Sequence, residues 1–429
     1  MVKLVKKKSG WQKVRKLFND IHLWLGLSSG IIVILICFSG TIYVYNTELT
    51  EMAASHLYKV ESQGKKENRK SPDELSEIIK KNAEGDLVGL NIPADHGRTY
   101  QFVLKKPDDK TRGTTYMANP FTGEIVGNSS EQNGTKEFLS KMFSLHRWLL
   151  LDQIETPILK TKSNRELGSM ITGWTTIIFT LGCITGLIIW FPQKIKTWRQ
   201  GLKIKFNGNW KRINHDIHNS LAFYALIFLL LMGLTGPQWS FEWYRNGLQK
   251  TLGTYKPKAA PGEKKAEGKS GTKSEGIKTA ISDSSTVGER PVISFTTMLS
   301  NADKVLPYTG DYNIQLPAET GAPVNISKTK TGFFAPAAAD RLTMDRFSGK
   351  ITKVEIFTEK PFNERVAGSI KAIHVGNVYG KFTKLLYFIA CMIATSLPVT
   401  GTLIWINKLK KKRRKSKPEF VQASSISIA

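Results

Sequence analysis

The sequence predicts a membrane protein: a four-helix transmembrane bundle built as a two-fold internal repeat, with α+β modules in its two long polar connections. Three observations predict it. First, apolar runs over residues 23–45, 170–191, 221–236 and 385–406 approach or reach the roughly 20 residues a helix needs to cross a bilayer. Second, in a chain with 62 lysines and arginines against 35 acidic residues, basic residues crowd three segments, 3–16, 194–212 and 408–417, which fall on one side of a four-span topology. This positive-inside pattern puts both termini in the cytoplasm and the connections 47–168 and 245–370 outside. It also assigns the net charge of +27 to a membrane surface and argues against nucleic acid as a partner. Third, the same short motifs recur in both halves of the chain.

Residues 1–18 form a basic arm suited to anionic lipid, leading into a first span at 19–46. That span is too long for a signal-peptide core, and no small-x-small cleavage site follows it, so it reads as a retained anchor. Residues 47–135 read as a small α+β module. Ser71 and Asp73 open a helix carrying Leu75, Ile78 and Ile79 at helical spacing, followed by strand-like runs at 87–92, 99–104 and 114–118 and a tight hairpin at 119–127. Residues 136–168 hold an amphipathic helix with His146 and a polar loop. Span two (169–192), a basic loop (193–214) and span three (215–244) follow; Trp239, Phe241, Trp243 and Tyr244 extend the short third apolar run as an interfacial cap.

Residues 245–290 contain a Lys/Gly/Ser/Ala-rich stretch, 254–289, with the composition of a disordered linker. A second α+β module is expected over 291–366, with strand-like runs at 311–316, 342–345 and 351–356. Span four is placed at 367–407 and includes His374; a basic tail, 408–429, closes the chain. The three cysteines, Cys37, Cys183 and Cys391, all lie inside apolar runs as small hydrophobes, and no CxxC or CxxCH motif is present.

The two halves match in five places. Asp20-Ile21-His22 matches Asp216-Ile217-His218, Ser39-Gly40 matches Thr235-Gly236, and the hairpin at 119–127 matches 345–353. Leu145-His146 matches Ile373-His374, and Thr185-Gly186 with Trp190 matches Thr400-Gly401 with Trp405. This is a parallel repeat of His, span, module, His, span over about 15–200 and 205–410. Its pseudo-symmetry sets His22 opposite His218 at the inner face and His146 opposite His374 at the outer face. Ionisable residues at such depth mark function by default, and paired neutral imidazoles suit axial ligation of haem iron. One haem at each face makes an electron relay. His215, whose repeat counterpart is Asn19, is the lesser candidate beside His218, and His56 and His96 read as surface residues. Single interfacial histidines can also be plain polar caps. Gly26 and Gly30, like Gly376 and Gly380, give either room for a flat macrocycle or simple helix packing.

The motifs His22-Leu23-Trp24-Leu25-Gly26-Leu27, Asn119-Pro120-Phe121-Thr122-Gly123-Glu124, Leu145-His146-Arg147 and Asp216-Ile217-His218-Asn219, with the Thr-Gly span ends, resemble the PepSY-associated transmembrane family of iron-regulated membrane proteins. The resemblance runs over about 15–410, and the second module, with Asp345-Arg346-Phe347-Ser348-Gly349-Lys350, is the diverged one. It implies two b-type haems on His22, His218, His146 and His374 in a bacterial inner-membrane protein similar to dihaem ferrisiderophore reductases. Its substrate would be a periplasmic ferric siderophore or other ferric chelate. No GxGxxG follows a strand, so the electron donor is expected to be external, quinol or a cytoplasmic flavoprotein. The alternative from a different class is a non-enzymatic PepSY anchor that binds or regulates a periplasmic partner such as a peptidase.

Overall fold

The computed structural model describes residues 10–60, 69–192, 195–257, 291–317, 319 and 321–416. The expected linker at 254–289 lies outside these residues from 258 onward, as do the first nine residues of the basic arm and the tail from 417. The chain begins with α1 (Gly10–Tyr43), α2 (Asn46–Ala53), α3 (Ser55–Tyr58) and α4 (Pro72–Asn82), followed by strands β1 (Asp86–Ile92), β2 (Tyr100–Lys105), β3 (Thr114–Ala118) and β4 (Ile125–Asn128). Helices α5 (Gly134–Trp148), α6 (Asn164–Trp190), α7 (Trp210–Thr235), α8 (Glu242–Thr251) and α9 (Phe295–Val305) come next. Strands β5 (Gly310–Gln315), β6 (Val324–Lys330), β7 (Asp340–Met344) and β8 (Ile351–Glu355) lead to α10 (Phe362–Val375) and α11 (Gly380–Ser416). They form two compact units: Met1–Ala53 with Gln132–Arg245 and Ser369–Ala429, and Ala54–Glu131 with Asn246–Gly368.

The first unit is helical. Among the described residues four helices are long and apolar enough to cross a membrane: α1, α6, α7 continued to Trp239, and α11 as far as Lys411. Helix α1 packs on α6 and α11, and α7 packs on α11 and α6. Much of what these helices bury is small or hydroxylated, including Ser29, Gly30, Ser39, Thr172, Gly173, Thr180, Ala225, Gly233 and Thr235, beside larger side chains such as Val33, Leu229 and Tyr387. The hydroxyls donate back along their own helices, as Ser29 does to the Leu25 carbonyl (2.7 Å) and Thr180 to that of Thr176 (2.8 Å). What they expose is large and apolar, including Trp24, Ile31 and Ile227. Small residues let helix backbones approach, and the bulky side chains face a solvent as apolar as themselves. That inverted pattern is a lipid-facing one.

Two expected spans change shape. Residues 367–407 are not one helix: α10 ends at Val375, and Gly376 and Gly380 take left-handed φ values of 76° and 58° before α11 begins. The Tyr387 ring occupies the place a side chain at 376 would need, with its Cδ2 2.9 Å from an added Cβ. These glycines therefore serve a turn and not a macrocycle, and His374, like His146 on α5, sits on a short helix of its own. In the third span the helix ends at Thr235 in a tight turn, Gly236–Trp239. Phe241 and Trp243 then pack against Trp174, at ring separations of 5.3 and 6.4 Å.

The second unit is built on one antiparallel sheet in the order β4-β3-β2-β1-β5-β6-β7-β8. The two α+β halves expected from the sequence thus share a sheet, joined where β1 pairs β5 from Gly89 opposite Gln315 to Ile92 opposite Tyr312. Leu75 and Ile79 of α4 and Met298 and Ala302 of α9 cover a core of Leu90, Phe102, Ile314, Ile326 and Leu342. Ser71 and Glu74 form a capping box with Pro72 in the first turn of α4. The Asp73 carboxylate crosses to the start of α9 and accepts from the Phe295 amide (2.6 Å) and the Thr296 amide (3.0 Å). Both hairpin turns are alike: Asn119 and Asp345 accept from the amides of Phe121 and Phe347, and Gly123 and Gly349 follow at φ 81° and 69°. Only glycine takes that conformation freely.

Strand β6 escaped the sequence because its third inward position is a lysine. Lys328 is buried, yet its Nζ lies 2.6 Å from Asp303 Oδ1 and 2.8 Å from the Leu306 carbonyl, between the rings of Tyr308 and Tyr312. At the sheet edge, hydrogen bonds from Lys353 and Lys360 hold the Glu355 carboxyl down to about 2. A depressed carboxylate stabilises the fold above its ordinary range and stops doing so as pH falls through the folded value. Glu355→Gln is therefore expected to lower stability by less than about 1 kcal/mol at neutral pH. The difference from wild type in thermal melts should fade between about pH 4.5 and 2; a gap unchanged down to pH 2 counts against the ion pairs.

Candidate functional site

The histidine arrangement rests on four dipeptides. Ser39-Gly40 on α1, Thr185-Gly186 on α6, Thr235-Gly236 at the end of α7 and Thr400-Gly401 on α11 each receive one imidazole from another helix. A Cβ added at Gly186 would stand 3.1 Å from His22 Cε1, at Gly401 3.2 Å from His218, at Gly40 3.1 Å from His146 and at Gly236 3.4 Å from His374. Glycine leaves the flat ring space to lie against the neighbouring backbone.

At three of the glycines the threonine beside it binds Nδ1, and at Gly40 the Ile36 carbonyl does so. His22 Nδ1 is 3.1 Å from both Thr185 Oγ1 and the Gly182 carbonyl, and His218 Nδ1 is 2.8 Å from Thr400 Oγ1. His374 Nδ1 is 3.0 Å from Thr235 Oγ1, and His146 Nδ1 is 2.9 Å from the Ile36 carbonyl. The three threonine hydroxyls spend their own hydrogens on backbone carbonyls of Gly182, Ser396 and Leu231. They are left as acceptors, as a carbonyl always is, so the ring proton belongs on Nδ1 in all four histidines. Each Nε2 keeps a free lone pair.

The rings then meet in couples. His22 and His218 have centroids 6.4 Å apart, and His146 and His374 have centroids 6.2 Å apart. Two imidazoles ligating one metal end-on need about 2.0–2.1 Å from metal to each nitrogen, plus about 1.1 Å from nitrogen to ring centre, or about 6.3 Å in total. Both couples have that spacing. On α1, His22 and the Gly40 that cradles His146 are eighteen residues apart, as are His218 and Gly236 on α7. At the helical rise this separates the couples by roughly 27 Å, close to the thickness of a hydrocarbon core.

Around His22 and His218 the helices leave a cavity of about 480 Å³, lined by Gly26, Gly30, Val33, Leu229, Phe223 and Trp405 among others. Nothing lies within 4 Å of a Cβ built on Gly26 or Gly182, whereas Gly30 backs onto Pro398 of α11 at 3.2 Å. His215 also lines this cavity but stays half-exposed, beside Asp216 (3.6 Å) and the Asn219 amide (3.4 Å), and pairs with neither ring. Asp216 itself is buried and bound by Arg212 Nε at 2.9 Å, so it anchors the basic loop. At the other couple the Trp239 ring packs 4.9 Å from His374. His56 lies on the surface of the sheet unit next to Glu131, 3.3 Å away, and His96 belongs to the same unit.

With this geometry in view, the family model described as PepSY-associated TM region matches residues 20–408. The chain belongs to that family. Membership and the four apolar helices make this PepSY-associated chain a multi-pass membrane protein. No curated protein matches it. Within this member of the family, sequence reasoning missed the acceptors: Thr185, Thr400, Thr235 and the Ile36 carbonyl. The signal was present, since the matched motifs of the two halves include the Ser/Thr-Gly dipeptides 39–40, 185–186, 235–236 and 400–401 alongside the four histidines, and ligating imidazoles are oriented through their other nitrogen.

Proposed function

We propose that this chain is an inner-membrane dihaem oxidoreductase that passes electrons across the bilayer to reduce ferric chelates, ferrisiderophores among them, on the periplasmic side. The observation that carries this reading is the pair of imidazole couples, each at ligation spacing with both Nε2 lone pairs free. Among the described residues no group of three or more His, Cys, Asp or Glu gathers as a metal site. Two imidazoles alone are the donor set of a metal whose other positions a macrocycle fills. His22 with His218 and His146 with His374 would each hold one b-type haem, and the glycine-lined cavity around the first couple suits a flat group. A bound haem supplies a one-electron centre at each rim of the bilayer.

The chain's own residues do the rest. Thr185, Thr400, Thr235 and the Ile36 carbonyl hold the rings in one orientation and raise the basicity of Nε2. Both couples are set among largely apolar helix walls. The match between halves supports a two-fold repeat, and the basic segments support cytoplasmic termini. The second couple then faces the periplasm, where the ferric chelate is met, and quinol or a cytoplasmic flavoprotein would reduce the first.

The test is the absorption spectrum of the detergent-purified full chain, oxidised and dithionite-reduced, with haem and protein quantified. Two low-spin bis-histidine haems per chain are expected, and reduction of ferric citrate by the reduced protein should follow. A folded, colourless protein sinks the proposal and leaves the non-enzymatic PepSY anchor.

A further inference from the structure

Helix α5 ends in His146-Arg147-Trp148, and after a fifteen-residue connection α6 begins, with Arg165 as its second residue. Arg165 Cζ lies 4.1 Å from the Trp148 ring centre and Arg147 Cζ 6.0 Å from the same ring, so two guanidinium groups share one indole. They are close enough for the Arg165 charge to act on Arg147. Arg147 also donates through Nη2 to the Trp239 carbonyl at 3.3 Å, and the Trp239 ring is the one packed on His374. Among the described residues no carboxylate comes within ion-pairing distance of either arginine. Of the acids nearby in sequence, Asp152 binds the Ser144 hydroxyl, Glu166 caps α6 through Ser163, and the exposed Glu155 makes no ion pair with either arginine.

Two neighbouring cations without a counter-charge repel, and most of their fork-shaped donors have no partner within the protein. Guanidinium groups in that state match the paired oxygens of a carboxylate. Arg165 is exposed and Arg147 half-buried, so the two guanidinium groups remain reachable from the surface. We propose that Arg147 and Arg165 form a carboxylate-binding subsite beside the His146–His374 couple. Which molecule brings the carboxylate rests on the function proposed above; the subsite does not. Two sources share this chemistry: an anionic chelate arriving from solution, and the propionate groups of a haem held by the couple.

The experiment compares the full chain in detergent with Arg147→Gln/Arg165→Gln and Arg147→Lys/Arg165→Lys, titrating citrate by calorimetry at low salt and measuring haem content and midpoint potential alongside. If the carboxylate comes from solution, citrate binds the wild type and binds the glutamine variant roughly ten- to a hundredfold more weakly. The lysine variant should fall between, because it keeps the charge and loses the fork, and added salt should weaken all binding. If haem supplies the carboxylates, citrate does not distinguish the variants. The glutamine variant instead loses haem, or shifts its potential, at the His146–His374 couple alone. Equal citrate behaviour together with unchanged haem content and potential overturns the subsite. A colourless protein sinks the oxidoreductase reading, while the citrate titration still decides the subsite.

Discussion

With the two proposed haems bound, His218→Ala is expected to abolish the low-spin signal of one and leave the other, and His146→Ala to do the reverse. Each variant keeps about half of the wild-type bis-histidine absorbance, and the double variant keeps none. The reason is the separation of the couples, roughly 27 Å along α1 and α7, with each histidine buttressed by a different helix. A graded companion is Thr400→Val, which preserves shape and removes the acceptor 2.8 Å from His218 Nδ1. Losing such an orienting partner is expected to weaken cofactor retention by about 10- to 100-fold without abolishing it. His215→Ala should leave both signals in place, since its ring joins neither couple. Reduced-minus-oxidised spectra with haem-to-protein ratios check all of these. Signals that fall together, or that survive both single substitutions, show that the couples are not two independent sites.

Gly168→Ala, on a helix that carries none of the four histidines, is expected to empty the His146–His374 couple while the His22–His218 couple stays loaded. Gly168 lies against the backbone of Trp148, so that an added Cβ would stand 2.7 Å from the Trp148 Cα and carbonyl carbon. Backbone cannot swing aside as a side-chain tip can, so α5 must move, and His146 moves with it. The contact is reinforced where Thr172 Oγ1 donates to the Arg147 carbonyl at 3.0 Å. Just beyond, Leu149 and Leu150 take left-handed φ values of 55° and 61°, a strained conformation for leucine that surrounding structure must hold. Overpacking of this kind costs about 1–3 kcal/mol, and here the loss falls on one couple. Gly134→Ala, at the open start of α5 with no atom within 4 Å of an added Cβ, is the control and should change neither signal. Full occupancy of both couples in Gly168→Ala would show that α5 is not fixed through this contact.

Much of this was legible before any fold was known. Apolar runs carry their own physics, so three of the long helices were evident from composition, and the short third run was recognised by its aromatic cap. The pairing of His22 with His218 and of His146 with His374 followed from matching the two halves. Strand β6 was hidden because Lys328, solvated by Asp303 and the Leu306 carbonyl inside the core, breaks the apolar alternation that marks a strand. The break between α10 and α11 was hidden because two glycines at 376 and 380 spell a turn only when the Tyr387 ring is known to fill the space beside one of them.

By itself the sequence determined which segments are apolar enough for lipid, where the positive charge lies and which histidines stand in matching motifs. These are properties of local composition and spacing, and they need no partner to be expressed. Only the tertiary structure decided that four Ser/Thr-Gly dipeptides cradle four imidazoles, that every Nδ1 is engaged and every Nε2 free, and that two arginines meet over one indole. The Nδ1 contacts join residues from 110 to 182 positions apart, and Arg165 reaches the Trp148 ring across seventeen. Helix packing brings such residues to within hydrogen-bonding distance, and no pattern along the chain encodes that distance.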